Sequence, residues 1–130
     1  PAQKLAEARD VTTAARQAGF RGLEASALSR AAVVEIQAGD VDSAVTHVRL
    51  AVELADGQGT DDLSWPAIVR NAAVVLQQAG LTDEARQMVA RGTAWLRNVA
   101  AQHVPPEFRE SFLNRNPVNL ELHRLAIRLG

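Results

Sequence analysis

The chain contains no cysteine and no tyrosine. The missing thiol excludes disulfides, thiolate nucleophiles and cysteine-ligated zinc. Only Phe20, Phe108, Phe112, Trp65 and Trp95 are aromatic, and Lys4 is the single lysine. β-Branched and aromatic residues are too few for a sheet protein. No apolar run approaches the roughly 18 to 20 residues that a membrane span needs. Neither charge sign dominates: the net charge is −1, which argues against nucleic acid or an anionic membrane as a direct partner. What remains is 130 residues, 47% hydrophobic, with 24 alanines. That is one domain's worth of chain, rich in good helix formers, and the expected class is all-α.

Apolar residues recur at helical spacing along nearly the whole chain. A first helix is expected over 2–18, carrying Leu5, Ala8, Val11, Ala15 and Ala18, and Gly19 stops it. A second covers 22–38 and ends at Gly39. A third, capped by Asp40 or Asp42, carries Ala44, Val45, Val48, Ala51, Val52 and Ala55. A polar loop follows over 56–62. The fourth helix opens between Asp62 and Pro66, since proline is tolerated only in the first turn, and it ends at Gly80. A fifth starts at Thr82 as cap and runs to about His103. Pro105 and Pro106 break the chain before a short helix with Phe108, Phe112 and Leu113. Asn116 then caps a last helix that has Pro117 at its first position.

Internal similarity is the most informative feature. Residues 32–44 align with residues 73–85 at a shift of 41, and eight of the 13 positions are identical. Each copy reads as a helix, an Ala-Gly turn and a second helix with alanine at its start (Ala44, Ala85), followed by Val48 or Val89. This resembles the tetratricopeptide repeat (TPR), a helical hairpin of about 34 residues. The resemblance implies a right-handed stack of antiparallel hairpins, with small residues (Ala32, Ala73) where paired helices approach closely. The family's tryptophan and tyrosine positions hold Leu28 and Glu35 in one copy and Val69 and Leu76 in the other, so the repeats are degenerate. An ordinary helical bundle is the alternative. The organisation expected is one domain over 1–130: a partial upstream repeat (1–20), two repeats (21–56 and 62–103) and a C-terminal cap (104–130).

The tail sharpens the context. Pro105, Arg109, Ser111, Phe112, Leu113, Pro117 and Asn119 resemble the closing segment of large bacterial signalling and transcriptional regulators, which place an ATPase and a long TPR region ahead of it. That resemblance implies a cytoplasmic regulatory protein whose catalytic parts lie elsewhere. Phe108, Phe112 and Leu113 are expected to seal the last repeat, as terminal repeats of a solenoid require a cover. A chain opening at Pro1 without a signal-peptide pattern reads as a segment of something longer.

Chemistry is harder to find. His47, His103 and His123 share no metal-ligand spacing, and His47 is expected on a polar surface. Counting a calcium loop from Asp56 puts Ala67 where a glutamate is needed. Gly57 and Gly59 lack the Lys-Ser/Thr of a phosphate loop, and Glu107 with Glu110 lacks a second wall. No catalytic, cofactor or metal residue is expected. A partner-binding face is: in a TPR stack the first helix of each hairpin lines the inner surface, here through Ser29, Arg30, Gln37, Arg70, Asn71, Gln77 and Gln78, with guanidinium and amide groups suited to carboxylates. The functional expectation is a non-enzymatic module that binds a protein, a peptide or the upstream domains of its own chain. Two alternatives remain: a homodimer formed through an N-terminal face bearing Leu5 and Val11, and a small-molecule sensor.

Overall fold

The computed structural model describes residues 2–56 and 65–129, and among them every regular element is a helix. In chain order these are α1 (Ala2–Ala18), α2 (Arg21–Gln37), α3 (Val41–Asp56), α4 (Trp65–Gln78), α5 (Thr82–His103), α6 (Pro106–Arg115) and α7 (Pro117–Leu129). The polar loop and its calcium reading fall on residues outside this description, apart from Asp56.

Three of the turns share one backbone device. Gly19, Gly39 and Gly80 take φ of +78°, +88° and +83°. After each glycine, the next amide reaches five residues back: Phe20 to the Ala15 carbonyl at 2.8 Å, Asp40 to Glu35 at 2.9 Å, Leu81 to Leu76 at 2.8 Å. The same residue's carbonyl then accepts the first amide bond of the following helix, from Glu24, Ala44 and Ala85. This is the left-handed C-terminal cap that glycine adopts without penalty. It also corrects the start of α5: Leu81 occupies the cap position without a side-chain bond, and Thr82 is already helical.

The helices are layered. α2 packs on α1, α3 and α4; α4 packs on α2, α3, α5 and α7; α7 packs on α4, α5 and α6. The core runs through α2 to α5 and α7, with Leu28, Val48, Ile68, Val69, Leu76, Val89, Leu96, Leu122 and Leu125 inside it. Burying each such side chain contributes roughly 1.5–3 kcal/mol. Positions related by the 41-residue shift are buried together: Ala32 with Ala73, Ala44 with Ala85, Val48 with Val89, Ala51 with Gly92. α1 stands apart, since among the described residues it touches α2 alone and places no side chain in the core cluster. Leu5 and Val11 on it are only half-buried.

The tail departs from expectation at one aromatic. Phe112 and Leu113 pack against the core, but Phe108 is 60% exposed and seals nothing. α6 has no fully buried residue, and polar contacts add to the packing of Phe112 and Leu113. The Arg109 Nε donates to the carbonyls of Ala100 (2.9 Å) and Val104 (3.0 Å), and its Nη2 donates to Ala101 (3.2 Å). These are the carbonyls left over where α5 ends. The buried Asn119 donates from Nδ2 to the Phe112 carbonyl at 2.9 Å, and Asn116 Oδ1 caps α7 through the amides of Val118 and Asn119.

Candidate functional site

The expected inner-face residues divide into two groups. Ser29 and Asn71 are 1% and 8% exposed, and they spend their polar atoms on each other. Asn71 Nδ2 donates to Ser29 Oγ at 3.1 Å, and Ser29 Oγ donates to the Ser26 carbonyl at 2.9 Å. Arg70 donates from Nε and Nη2 to Asn71 Oδ1, and its Nη1 lies 3.6 Å from Glu121 Oε2 on α7. The placement of Ser29 and Asn71 on an open face is therefore corrected: both lie between layers, because α2 and α4 have neighbours on three sides. Arg70 is the residue one 41-step beyond Ser29, and each of the two reaches from its helix to the next layer.

The second group stays open. Arg30, Gln37 and Gln78 are exposed, and Gln77 is half-buried. Arg30 and Val34 of α2 face Lys4, Glu7, Ala8 and Val11 of α1 across a groove of about 300 Å³. Arg30 makes no ion pair among the described residues, so its charge is available to a ligand.

A buried charge cluster was not anticipated. Glu35 on α2 is 1% exposed, with Oε1 at 2.6 Å from His47 Nδ1 on α3 and Oε2 at 3.5 Å from Arg9 Nη2 on α1. His47 is thus half-buried against a carboxylate, not on a free polar surface. Eleven residues earlier, the buried Glu24 takes a 3.0 Å contact from Arg16 Nε of α1. The 41-residue alignment carried the signal: the counterparts of Glu35 and His47 are Leu76 and Met88, both core residues. A carboxylate in an apolar slot, matched by a histidine in the facing apolar slot, marks a buried pair.

Glu35 fixes the ring orientation of His47, which is the supporting half of a general-base arrangement. The reacting half would be a hydroxyl within hydrogen-bond reach of the other ring nitrogen. The buried hydroxyls of Thr12 and Ser29 donate to the backbone carbonyls of Ala8 and Ser26. Among the described residues no group of three His, Asp or Glu is placed to hold a metal ion, and no helix is long and apolar enough to cross a membrane.

The side formed by α3 and α5 is strapped by ion pairs. Arg49 forks onto Glu84 at 3.0 and 2.8 Å, and Arg91 meets both oxygens of Asp56 at 2.6 and 2.7 Å. Hydrogen bonding to Arg49 holds the Glu84 carboxyl below its ordinary range, against a smaller upward push from desolvation. The same bond raises Arg49. Arg91 also lies 5.3 Å above the ring of the buried Trp65. Trp95 is in the core, as its place on the apolar stripe requires.

Comparison finds no family model, no curated relative and no solved structure that corresponds to this chain. α2 and α4 carry the exposed Arg30, Gln37 and Gln78 and the half-buried Gln77, and Arg30 makes no ion pair among the described residues.

Proposed function

We propose that this chain is a TPR-like, right-handed stack of helical hairpins and works as a non-catalytic protein–protein interaction and regulatory module. In this reading it is the C-terminal segment of a bacterial, cytoplasmic ATPase-containing signalling or transcriptional regulator. One observation carries the architecture: α2 with α3 and α4 with α5 close through the same glycine turn, and each layer meets the next in the same way. α4 packs on both helices of the hairpin before it, α7 packs on α4 and α5, and Ser29–Asn71 is followed by Arg70–Glu121. α7 then stands as the first helix of a third layer. A surface held this rigidly loses little ordering entropy when it binds.

The partner surface in this reading is the exposed edge bearing Arg30, Gln37, Gln77 and Gln78. Backbone amide spectra titrated with acidic, basic and apolar peptides test it. Shifts clustered on these four residues and their helical neighbours support the reading. An unchanged spectrum at millimolar peptide in all three series refutes it. The second reading, homo-oligomerisation, is favoured by the exposed Phe20 and Leu23 beside the first turn.

A further inference from the structure

We propose that the groove between α5 and α7 is a docking site for an acidic amphipathic helix of a partner protein. The inference goes beyond the α2–α4 edge described above and does not rest on it.

The preceding layer shows how such a helix sits. Val48, Arg49 and Val52 form one side of a groove on α3, α5 stands on the other side, and α4 supplies the floor through Ala72 and Leu76. Two ion pairs, Arg49–Glu84 and Asp56–Arg91, span the gap. The 41-residue shift carries Val48, Arg49, Val52 and Asp56 onto Val89, Ala90, Thr93 and Arg97 of α5. There the floor is α7, through Ala126 and Leu129, and the lining comes from α5 and α7 alone. The same seat thus recurs one layer on, with its outer side open.

The groove has the dimensions of a helix contact. Two hollows of about 300 and 150 Å³ meet at Thr93 and follow α5 from Arg86 to Arg97, about 17 Å or three turns of helix. Their apolar lining includes Val89, Leu96, Ala126 and Leu129, and α6 bounds the second hollow through Leu113 and Asn114. Three turns is the span over which a docked helix places anchors at i, i+3 or i+4, and i+7. Ile127 lies one turn past His123 on the same face of α7 and is 70% exposed, so an apolar side chain stands beside the groove.

Charge identifies the occupant. The basic side chains Arg86, Arg97 and His123 line the two hollows, and no carboxylate does. Arg86 is engaged by the Leu129 carbonyl and by Asp83, but Arg97 makes no hydrogen bond or ion pair among the described residues. The shift also reverses a sign. Arg97 stands where α3 has Asp56, whose mate across the gap is Arg91. A helix seated beside α5 as α5 is seated beside α3 therefore needs an acid where α5 has Arg91. Ala90, in place of Arg49, asks for no charge at the other position. The wider distribution agrees: residues 86–130 hold seven arginines against three glutamates, a net charge of +4, while residues 1–85 carry −5. An apolar floor with a basic rim selects an acidic helix over a basic one and speeds its approach.

The test uses the whole chain and a synthetic amphipathic helix of about 18 residues, five turns. The peptide has a leucine–alanine face and carries glutamate, glutamine or lysine along its polar edge. In amide spectra the glutamate peptide is expected to shift residues 86–97 and 123–129 saturably. The glutamine peptide should bind about tenfold more weakly, and the lysine peptide should not bind. Arg97→Glu should weaken the glutamate peptide by at least about tenfold and transfer binding to the lysine peptide. Ala90→Trp, at an exposed position, should fill the groove and abolish binding while helicity stays that of the parent. Arg124→Glu makes the same charge change at an exposed position of α7 outside the groove lining, and should cost less than about twofold. Equal losses for Arg97→Glu and Arg124→Glu would mean diffuse attraction and overturn the proposal. Shifts confined to Arg30, Gln37, Gln77 and Gln78 would overturn it while leaving the α2–α4 reading intact. No shift over 86–97 with millimolar glutamate peptide overturns it too, as does self-association blocked by Ala90→Trp, which would make a second copy the occupant.

Discussion

Glu35 and His47 occupy slots that the second hairpin fills with Leu76 and Met88, and transplanting those residues measures what the charged pair contributes. His47→Met alone leaves a carboxylate that is 1% exposed with only Arg9, at 3.5 Å, to compensate it. Removing one member of a buried pair costs about 3–5 kcal/mol when no partner remains, and Arg9 brings the expectation down to about 2–3 kcal/mol. Glu35→Leu alone leaves His47 and Arg9 without their carboxylate, but their side chains are 33% and 58% exposed and reach water; its cost should be about 0–1 kcal/mol. The double variant Glu35→Leu/His47→Met rebuilds the apolar contact of the second hairpin. It should match the parent or exceed its stability by about 1–2 kcal/mol, as buried pairs replaced by packed apolar groups do. The assay is urea denaturation followed by far-ultraviolet circular dichroism at pH 7, run as a double-mutant cycle. At about 2.1 cal/mol/K of unfolding entropy per residue, the single His47 variant should also melt about 7–11 °C lower. A His47→Met chain within about 0.5 kcal/mol of the parent would refute the buried-pair reasoning, since surface substitutions fall in that range. Simple additivity in the cycle would refute the coupling.

Four other outcomes are expected. Gly39→Ala and Gly80→Ala should each cost about 1–2 kcal/mol and agree closely, because both meet empty space at Cβ and only the left-handed backbone resists them; unequal losses by thermal denaturation would mean the two turns are not equivalent. Gly92→Ala places a Cβ 2.8 Å from Val69 Cγ1, a stiff buried group; overpacking of about 1–3 kcal/mol should outweigh about 1 kcal/mol of helix propensity, and Val69→Ala in the same chain should recover part of the loss. Arg109→Ala should cost about 1–2 kcal/mol and speed amide exchange in 100–115, with Arg109→Lys recovering only part. For Arg49→Gln the loss should be about 0.5 kcal/mol at pH 7, since the pair is largely solvated. Glu84's folded pKa is depressed, so this contribution is complete above the unfolded value of about 4.3 and disappears as pH falls through the lower folded value; a loss unchanged at pH 2.5 or in about 1 M salt would contradict it.

The helices and their stops were readable because apolar spacing and glycine report local backbone preferences, and both hairpins bury those residues on schedule. The buried polar groups were not readable from one helix at a time. Ser29, Asn71 and His47 are polar, and a helix wheel assigns polar residues to solvent. α2 and α4 are enclosed by neighbours, so their exposed arc is narrower than the polar arc of their sequences, and part of that arc turns inward. Only a comparison across the 41-residue shift exposes this, because it sets Glu35 against Leu76 and His47 against Met88. Phe108 fails in the opposite sense. It lies in an apolar-looking cluster, but α6 is short and is held by Arg109, so one aromatic is left in solvent.

The alanine content and the arginine content of this chain have a common cause. Interfaces built from Ala32, Ala44, Ala51, Ala72, Ala73 and Ala85 allow close approach, but their surfaces are smooth and fix register weakly. The contacts that fix it run from one layer to another: Arg9 and Arg16 onto α2, Arg49 and Arg91 between α3 and α5, Arg70 onto α7. Each arm reaches a partner on another helix, and Arg49 applies two donors, Nε and Nη2, to one carboxylate. Arg109 serves three carbonyls and Arg49 forks onto one carboxylate, geometries that a lysine ammonium does not reproduce. Six of the thirteen arginines make these contacts, so in this stack alanine supplies close packing and guanidinium groups supply alignment.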